Sequence, residues 1–291
     1  MPAGDNTTLV LADSLDTIAA SGRSRREYEG AVPQLVETQE LDPNTGTGWR
    51  EVLYEQIAAQ PITETTQNDN FQQYDDSAIT ITPQMVQIAT FITDKSKRNL
   101  SPKALAQMGK LAGNAMMRQQ DYDGLVALDG STTQLGAAGT PAQVGDVAAA
   151  RYRITSNTTE RGGVTGISGV FHGFVLKDFF DELVGGVGTY PIPEGSTARV
   201  FAKGYNLPIA DVAIFEDGNI VPDANDDALN FIFAREAWVL VRGMRMKTET
   251  ERLPRRGGGG DAVIMTDEWA YGQRSAGNWS YELIADAVAP T

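Results

Sequence analysis

Hydrophobic and polar positions divide the chain into segments of different period. From Ala78 onward, "AITITPQMVQIATFITDKSKRN" alternates apolar and polar residues and is rich in Ile, Thr and Val. This predicts strand, with Pro83 marking a break or an edge position. The next segment, "SPKALAQMGKLAGNAMMRQQDYDGLVAL", changes to a spacing of three and four. Leu105, Met108, Leu111, Ala112, Ala115, Met116, Tyr122, Leu125 and Val126 predict one apolar stripe on a long helix running from Ser101 to about Tyr122. Ser101 suits the N-cap and Pro102 the first helical position, where a missing N–H costs nothing. Gly109 and Gly113 suggest that another element approaches the helix closely there, because each weakens it by about 1 kcal/mol relative to Ala.

The remaining segments are shorter. Residues 142–151 predict a helix, and "GVFHGFVLKDFFDELVGG" reads as a strand (169–175) leading into a helix (176–183). Residues 227–274 give two or three longer strands, with glycines 257–260 at a flexible tip between two of them. Strands with a few helices and no regular β-α alternation make the fold class α+β. Two stretches lack the apolar content to fold alone. Residues 1–47 offer one short helix, about Leu9–Ala20, then Arg23, Arg25 and Arg26 and a turn-rich "LDPNTGTG". Residues 48–82 are dense in Thr, Gln, Asn and Asp, and read either as a disordered loop or as a long projecting hairpin that needs a neighbour.

Composition narrows the function. A net charge of -14 over 291 residues argues against a generic nucleic-acid binder. The absence of cysteine removes disulfides and thiolate zinc sites. No apolar run approaches the roughly 18 residues of a membrane span, and the first twenty residues do not resemble a signal peptide. The sequons at Asn6, Asn157 and Asn278 then read as chance matches.

Candidate chemistry is sparse. His172 is the single histidine and sits in an apolar strand pattern, so packing is favoured over general-base work. "RGGVTGISG" (161–169) lacks the Lys-Ser/Thr of a phosphate-binding loop and reads as a mobile loop. The acids Glu216, Asp217, Asp223, Asp226 and Asp227 do not match a calcium-loop spacing and read as a solvated loop. "RLPRRGGGG" reads as a solvated hairpin tip. Trp49, Trp238, Trp269 and Trp279 are scattered and read as core. No nucleophile, base and oxyanion set assembles, so the chain reads as no enzyme, with no cofactor and no metal.

The order of these parts resembles the major capsid proteins of tailed double-stranded DNA bacteriophages, the Hong Kong 97-type fold. The segments that carry the likeness are the arm, the polar loop, the long helix ending in "DYDGLVALDG", "GVFHGFVLKDFFDEL", and the closing "REAWVLVRGMRMKTETERLPRRGGGGDAVIMTDEWAYGQRSAGNWSYELIADA". The resemblance implies an N-terminal arm (1–47), an extended loop (48–82), a peripheral domain (83–135 and 240–275) with the helix as its spine, and an axial domain (136–239 and 276–291). The spine's apolar stripe would then pack on the strands around Ala78–Thr93 and Met244–Glu251.

It also implies self-assembly into pentamers and hexamers of an icosahedral shell within the virion, built in the bacterial host cytoplasm. The implied partners are a portal, a scaffolding protein, a possible decoration or cement protein, and packaged double-stranded DNA held by loose, non-specific contact, with no membrane. Arm and loop become contacts between subunits, with Arg23, Arg25, Arg26, Trp49, Tyr54, Phe71 and Tyr74 as candidates. The three arginines would touch either DNA or acidic neighbours, and net acidity favours neighbours. Residues 36–77 contain no lysine, so the shell is expected to be noncovalent. Rival readings are an encapsulin-like nanocompartment of the same fold, another virion structural protein, and a hydrolase.

Overall fold

The computed structural model describes residues 5–6, 30–42, 46–55, 57–59, 61, 63–64, 71–100, 102–131, 134–157, 162–186, 208–274 and 279–290. In chain order its elements are β1 (Asp5–Asn6), α1 (Val32–Leu35), β2 (Glu37–Glu40), β3 (Trp49–Tyr54), β4 (Asp76–Ile81), β5 (Gln84–Thr93), α2 (Asp94–Asn99) and α3 (Pro102–Leu128). There follow β6 (Gln134–Gly136), α4 (Val144–Thr155), β7 (Ile167–Phe171), α5 (Gly173–Gly186), β8 (Val212–Glu216), β9 (Asp227–Ala234), β10 (Trp238–Arg252), β11 (Gly260–Gln273) and β12 (Ser280–Asp286). The helix expected at Leu9–Ala20 and the cap at Ser101 lie outside the described residues.

Two five-stranded sheets and one hairpin organise these elements. The first sheet has the order β1-β5-β11-β10-β2, the second β6-β12-β9-β7-β8, and β3 pairs only with β4. The alternating run from Ala78 is split where expected: β4 ends at Ile81 and β5 begins at Gln84, with Pro83 between them. Proline cannot donate to a ladder, so the chain leaves the hairpin there and joins the first sheet. At the far end of β5, Thr93 Oγ1 caps α2 by accepting from Ser96 N at 3.2 Å.

The long helix runs on to Leu128, farther than Tyr122. Its inward face also differs from the expected stripe. Met116, Gln120, Asp121, Leu125 and Leu128 are buried, whereas Tyr122 (51% exposed) and Val126 (55%) face outward. The buried set follows the i, i+4 row through 116, 120, 124 and 128, and a stripe drawn through Tyr122 and Val126 drifts off that row. The close approach occurs at Gly124, not at Gly109 or Gly113. A Cβ at Gly124 would meet Val32 Cγ1 at 2.7 Å and Tyr271 Cζ at 3.0 Å, whereas one at Gly109 or Gly113 would meet nothing within 4 Å.

Helix α3 packs chiefly on β11 and α1. The second half of β10, from Arg245, is exposed, and α3 packs mainly elsewhere than on Met244–Glu251. The main core joins α3 to the second sheet and its helices. Phe171 and Phe179 are fully buried and meet edge to face at 5.3 Å between ring centroids. Trp238, Trp269 and Trp279 lie in this core, as aromatic strand residues usually do.

Candidate functional site

A catalytic centre does not assemble from the described residues. His172 directly follows β7, where its backbone N–H donates to Asn230 Oδ1 at 2.9 Å and its Nδ1 accepts from Phe174 N at 3.3 Å. Burial lowers its pKa, against the opposing charge of Glu216. The ring is thus used to turn the chain from strand into helix. Asp223 Oδ1 accepts from Asn225 N at 2.8 Å and Asp227 N at 2.9 Å, which folds that acidic loop on itself. No group of three or more metal-ligating side chains occurs among the described residues.

Two loops expected to be flexible are held by hydrogen bonds, although residues 254–258 of the second are exposed, as expected of a solvated hairpin tip. Val164 N donates to Glu236 Oε1 at 2.8 Å and Arg235 N to Gly166 O at 3.1 Å, so the described part of the glycine-rich stretch is held against the second sheet. At the 257–260 tip, Arg252 reaches Asp94 with both terminal nitrogens at 2.6 Å and Asp261 at 3.2 Å. Asp94 N also donates to Gly259 O at 2.9 Å. Gly257, Gly258 and Gly259 all have positive φ, so the turn itself requires glycine.

Among the described residues, the β3–β4 hairpin pairs with no other strand and meets the body only at its base. Its six paired positions run from Trp49↔Ile81 to Tyr54↔Asp76. At the last pair and beyond it lie exposed aromatic groups: Tyr54 is 69% exposed, Tyr74 72% and Phe71 91%. No basic residue occurs between Arg50 and Lys95, while Glu51, Glu55, Glu64, Asp69, Asp75 and Asp76 are acidic. An isolated two-stranded ribbon is marginally stable in water, so its base matters. There Trp49 packs beside Ile81, Val239 and Val241, and the Arg274 guanidinium lies 6.0 Å from its ring centroid. Arg274 Nε donates to Glu51 Oε2 at 2.6 Å and its Nη1 donates to Glu37, joining β3 to β2. The hydrogen bond from Arg274 holds the Glu37 carboxyl below its ordinary range. Of the sequence candidates, Trp49 sits at this base, Tyr54, Phe71 and Tyr74 lie farther out, and Arg23, Arg25 and Arg26 lie outside the described residues.

One buried constellation had no sequence signal. Asp217, expected in a solvated loop, is fully buried and faces Asp121 of α3. Asp121 Oδ1 accepts from Val32 N at 3.1 Å, and Asp217 Oδ2 accepts from Ala31 N at 3.1 Å. Asn219 bridges the two, giving its backbone N–H to Asp217 Oδ1 at 2.9 Å and its side-chain amide to Asp121 Oδ2 at 2.8 Å. Partners 89 and 186 residues apart leave no local pattern to read.

No family model and no curated protein matches the chain. Solved structures do. The capsid structure of the cyanophage P-SCSP1u superimposes with a TM-score of 0.72 at 13% identity, over 96% of this chain and 95% of that one. The capsid asymmetric unit of the cyanophage Pam1 gives 0.66 at 12% identity, over 94% and 99%. The holo-SrpI encapsulin complex from Synechococcus elongatus gives 0.62 at 9% identity, over 92% and 94%. The fold is therefore that of tailed-phage capsid proteins, the Hong Kong 97-type α+β architecture expected from the order of parts.

Proposed function

We propose that this chain is a major capsid protein, assembling as pentamers and hexamers into the icosahedral shell around the double-stranded DNA of a tailed bacteriophage. The observation that carries the reading is the end-to-end likeness to the cyanophage P-SCSP1u capsid, over 96% of this chain and 95% of that one. In this reading 1–47 is the arm, 48–82 the extended loop, 83–135 with 240–275 the peripheral domain, and 136–239 with 276–291 the axial domain. The protein acts structurally rather than catalytically, and it resides in the virion after assembly in the host cytoplasm. Its partners are copies of itself, a portal, a scaffolding protein and, where present, a cement protein outside the shell. The net charge of -14 lets the shell surround DNA without gripping it.

The exposed Tyr54, Phe71 and Tyr74 support the loop as an intersubunit contact, since apolar groups left in water on a marginal ribbon gain most from a neighbour. Arg23, Arg25 and Arg26 serve the same role on the arm, against acidic surfaces of adjacent subunits. Electron microscopy of the purified protein, with and without its genomic neighbours, tests the proposal. Closed shells with pentamer and hexamer features are expected. A persistent monomer or small oligomer in the presence of a scaffold would overturn it. Phe71→Ala is expected to weaken assembly without altering the stability of the free subunit.

The likeness to the encapsulin complex supports a second reading, a nanocompartment shell. A neighbouring portal and terminase gene favours the phage head, and a cargo enzyme with a docking tail favours the compartment.

A further inference from the structure

Residues Gly30–Val32 are the first described residues after β1, and two carboxyls from different parts of the fold hold them at this root. Asp121 comes from the C-terminal third of α3, and Asp217 from the loop after β8. They accept from successive backbone N–H groups, Val32 N and Ala31 N, both at 3.1 Å. The fit leaves no slack. A Cβ at Gly30 would lie 1.8 Å from Asp121 Cγ, and Val32 is fully buried against Gly124. Both carboxyls are fully buried, and no cation contacts either one among the described residues.

Among the described residues, the surrounding groups do not neutralise the pair. On α3, Gln120 points to β10 and accepts from Arg242 Nη2 at 3.3 Å, while Asp123 accepts from Trp269 Nε1 at 2.9 Å. From β11, the Tyr271 hydroxyl donates to Gln120 O at 2.9 Å. The loop after β8 brings Asn219, which is neutral, and the root brings only backbone. Two adjacent buried carboxylates with no cation cannot both stay ionised without cost.

We propose that Asp121 and Asp217 form a proton-operated clasp on the root of the N-terminal segment: with one proton on the pair they hold Ala31 and Val32 to both α3 and the second sheet, and with both carboxyls ionised they loosen that hold. Burial pushes the Asp121 carboxyl up to about 6, the Asn219 hydrogen bond opposes the shift, and the charge of Asp217 adds to it. A carboxyl raised in the folded state favours the protonated form. The hold is therefore complete below the ordinary Asp value near 4 and is lost as pH rises through about 6. The inference concerns the subunit itself and does not rest on the capsid reading.

Amide hydrogen exchange of the whole protein, read on the peptide spanning residues 30–36, tests the clasp at pH 5.0 and pH 7.5. After correction for intrinsic exchange, the root is expected to exchange about tenfold more slowly at pH 5.0, while a β9 peptide does not change. Asp121→Asn and Asp217→Asn each remove the charge conflict, so the pH dependence should vanish in both. Equal corrected rates at the two pH values in the unmodified protein, or an equal change in the β9 peptide, would overturn the proposal. So would a pH dependence that persists in both variants. If neither variant folds, the unmodified protein with its β9 control still decides.

Discussion

Replacing Arg274 by methionine removes the link between the hairpin and the body while keeping the length of the side chain. Arg274 is 17% exposed at its side chain, and the two carboxylates it joins, Glu37 and Glu51, are each 35% exposed. Hydrogen bonds to charged groups contribute about 1.5–3 kcal/mol each in general. One-third exposure lets water and salt screen them, so about 1 kcal/mol each is a fairer figure. The substitution also leaves Glu37, Glu51 and Glu236 around one small cleft with no cation among its lining residues. A total near 2 kcal/mol corresponds to roughly a 30-fold change in an opening equilibrium. The loss should fall on β2 and β3 together, because Glu37 belongs to β2 and Glu51 to β3, while the main core lies elsewhere. Amide exchange through an opening that frees both Glu37–Glu40 and the hairpin strands Trp49–Tyr54 and Asp76–Ile81 is therefore expected to accelerate about 30-fold at pH 7, with little change in Asp227–Ala234. The Glu37 carboxyl is depressed in the fold, so its share is present above its unfolded value near 4.5 and lost as pH falls through the folded value. The gap between the Arg274→Met variant and the wild type should then narrow in acid. An acceleration under about threefold at pH 7, or a gap that does not change down to pH 3, would refute the reasoning.

Other outcomes follow from the same contacts. Gly113→Ala is expected to raise stability by about 1 kcal/mol in a denaturant titration of the subunit, since a Cβ there meets nothing within 4 Å. Gly124→Leu should lower it by about 1–3 kcal/mol in the same assay, because Val32 and Tyr271 already fill that space. Phe179→Ala removes a fully buried ring from its edge-to-face contact with Phe171 and should cost about 3–5 kcal/mol. Burial, with the charge of Asp129, raises the Glu282 carboxyl to about 7, so its protonated form stabilises the fold below about 4.5 and that benefit is lost as pH rises through 7. Glu282→Gln should accordingly be more stable than wild type at pH 8, by about 1–3 kcal/mol, and no more stable at pH 4.

The local elements and their order were legible along the chain. Alternation placed β4 and β5, Pro83 separated them, the three-and-four spacing marked the long helix, and the polar composition of residues 48–82 left a segment without a core of its own. These signals are short-range, so neighbouring positions in the chain carry them. Tertiary structure decided which residues of each element matter. Asp121 looks like a solvent residue beside Tyr122 until Val32 N and Asn219 converge on it from 89 and 98 positions away. Gly124 rather than Gly109 receives the close contact because Val32 and Tyr271 arrive there from opposite ends of the chain. Asp217 reads as one acid among several, yet backbone donors at Ala31 and Asn219 make its burial tolerable. A buried carboxyl is permitted only where donors gather, and chain folding, not sequence spacing, sets where they gather.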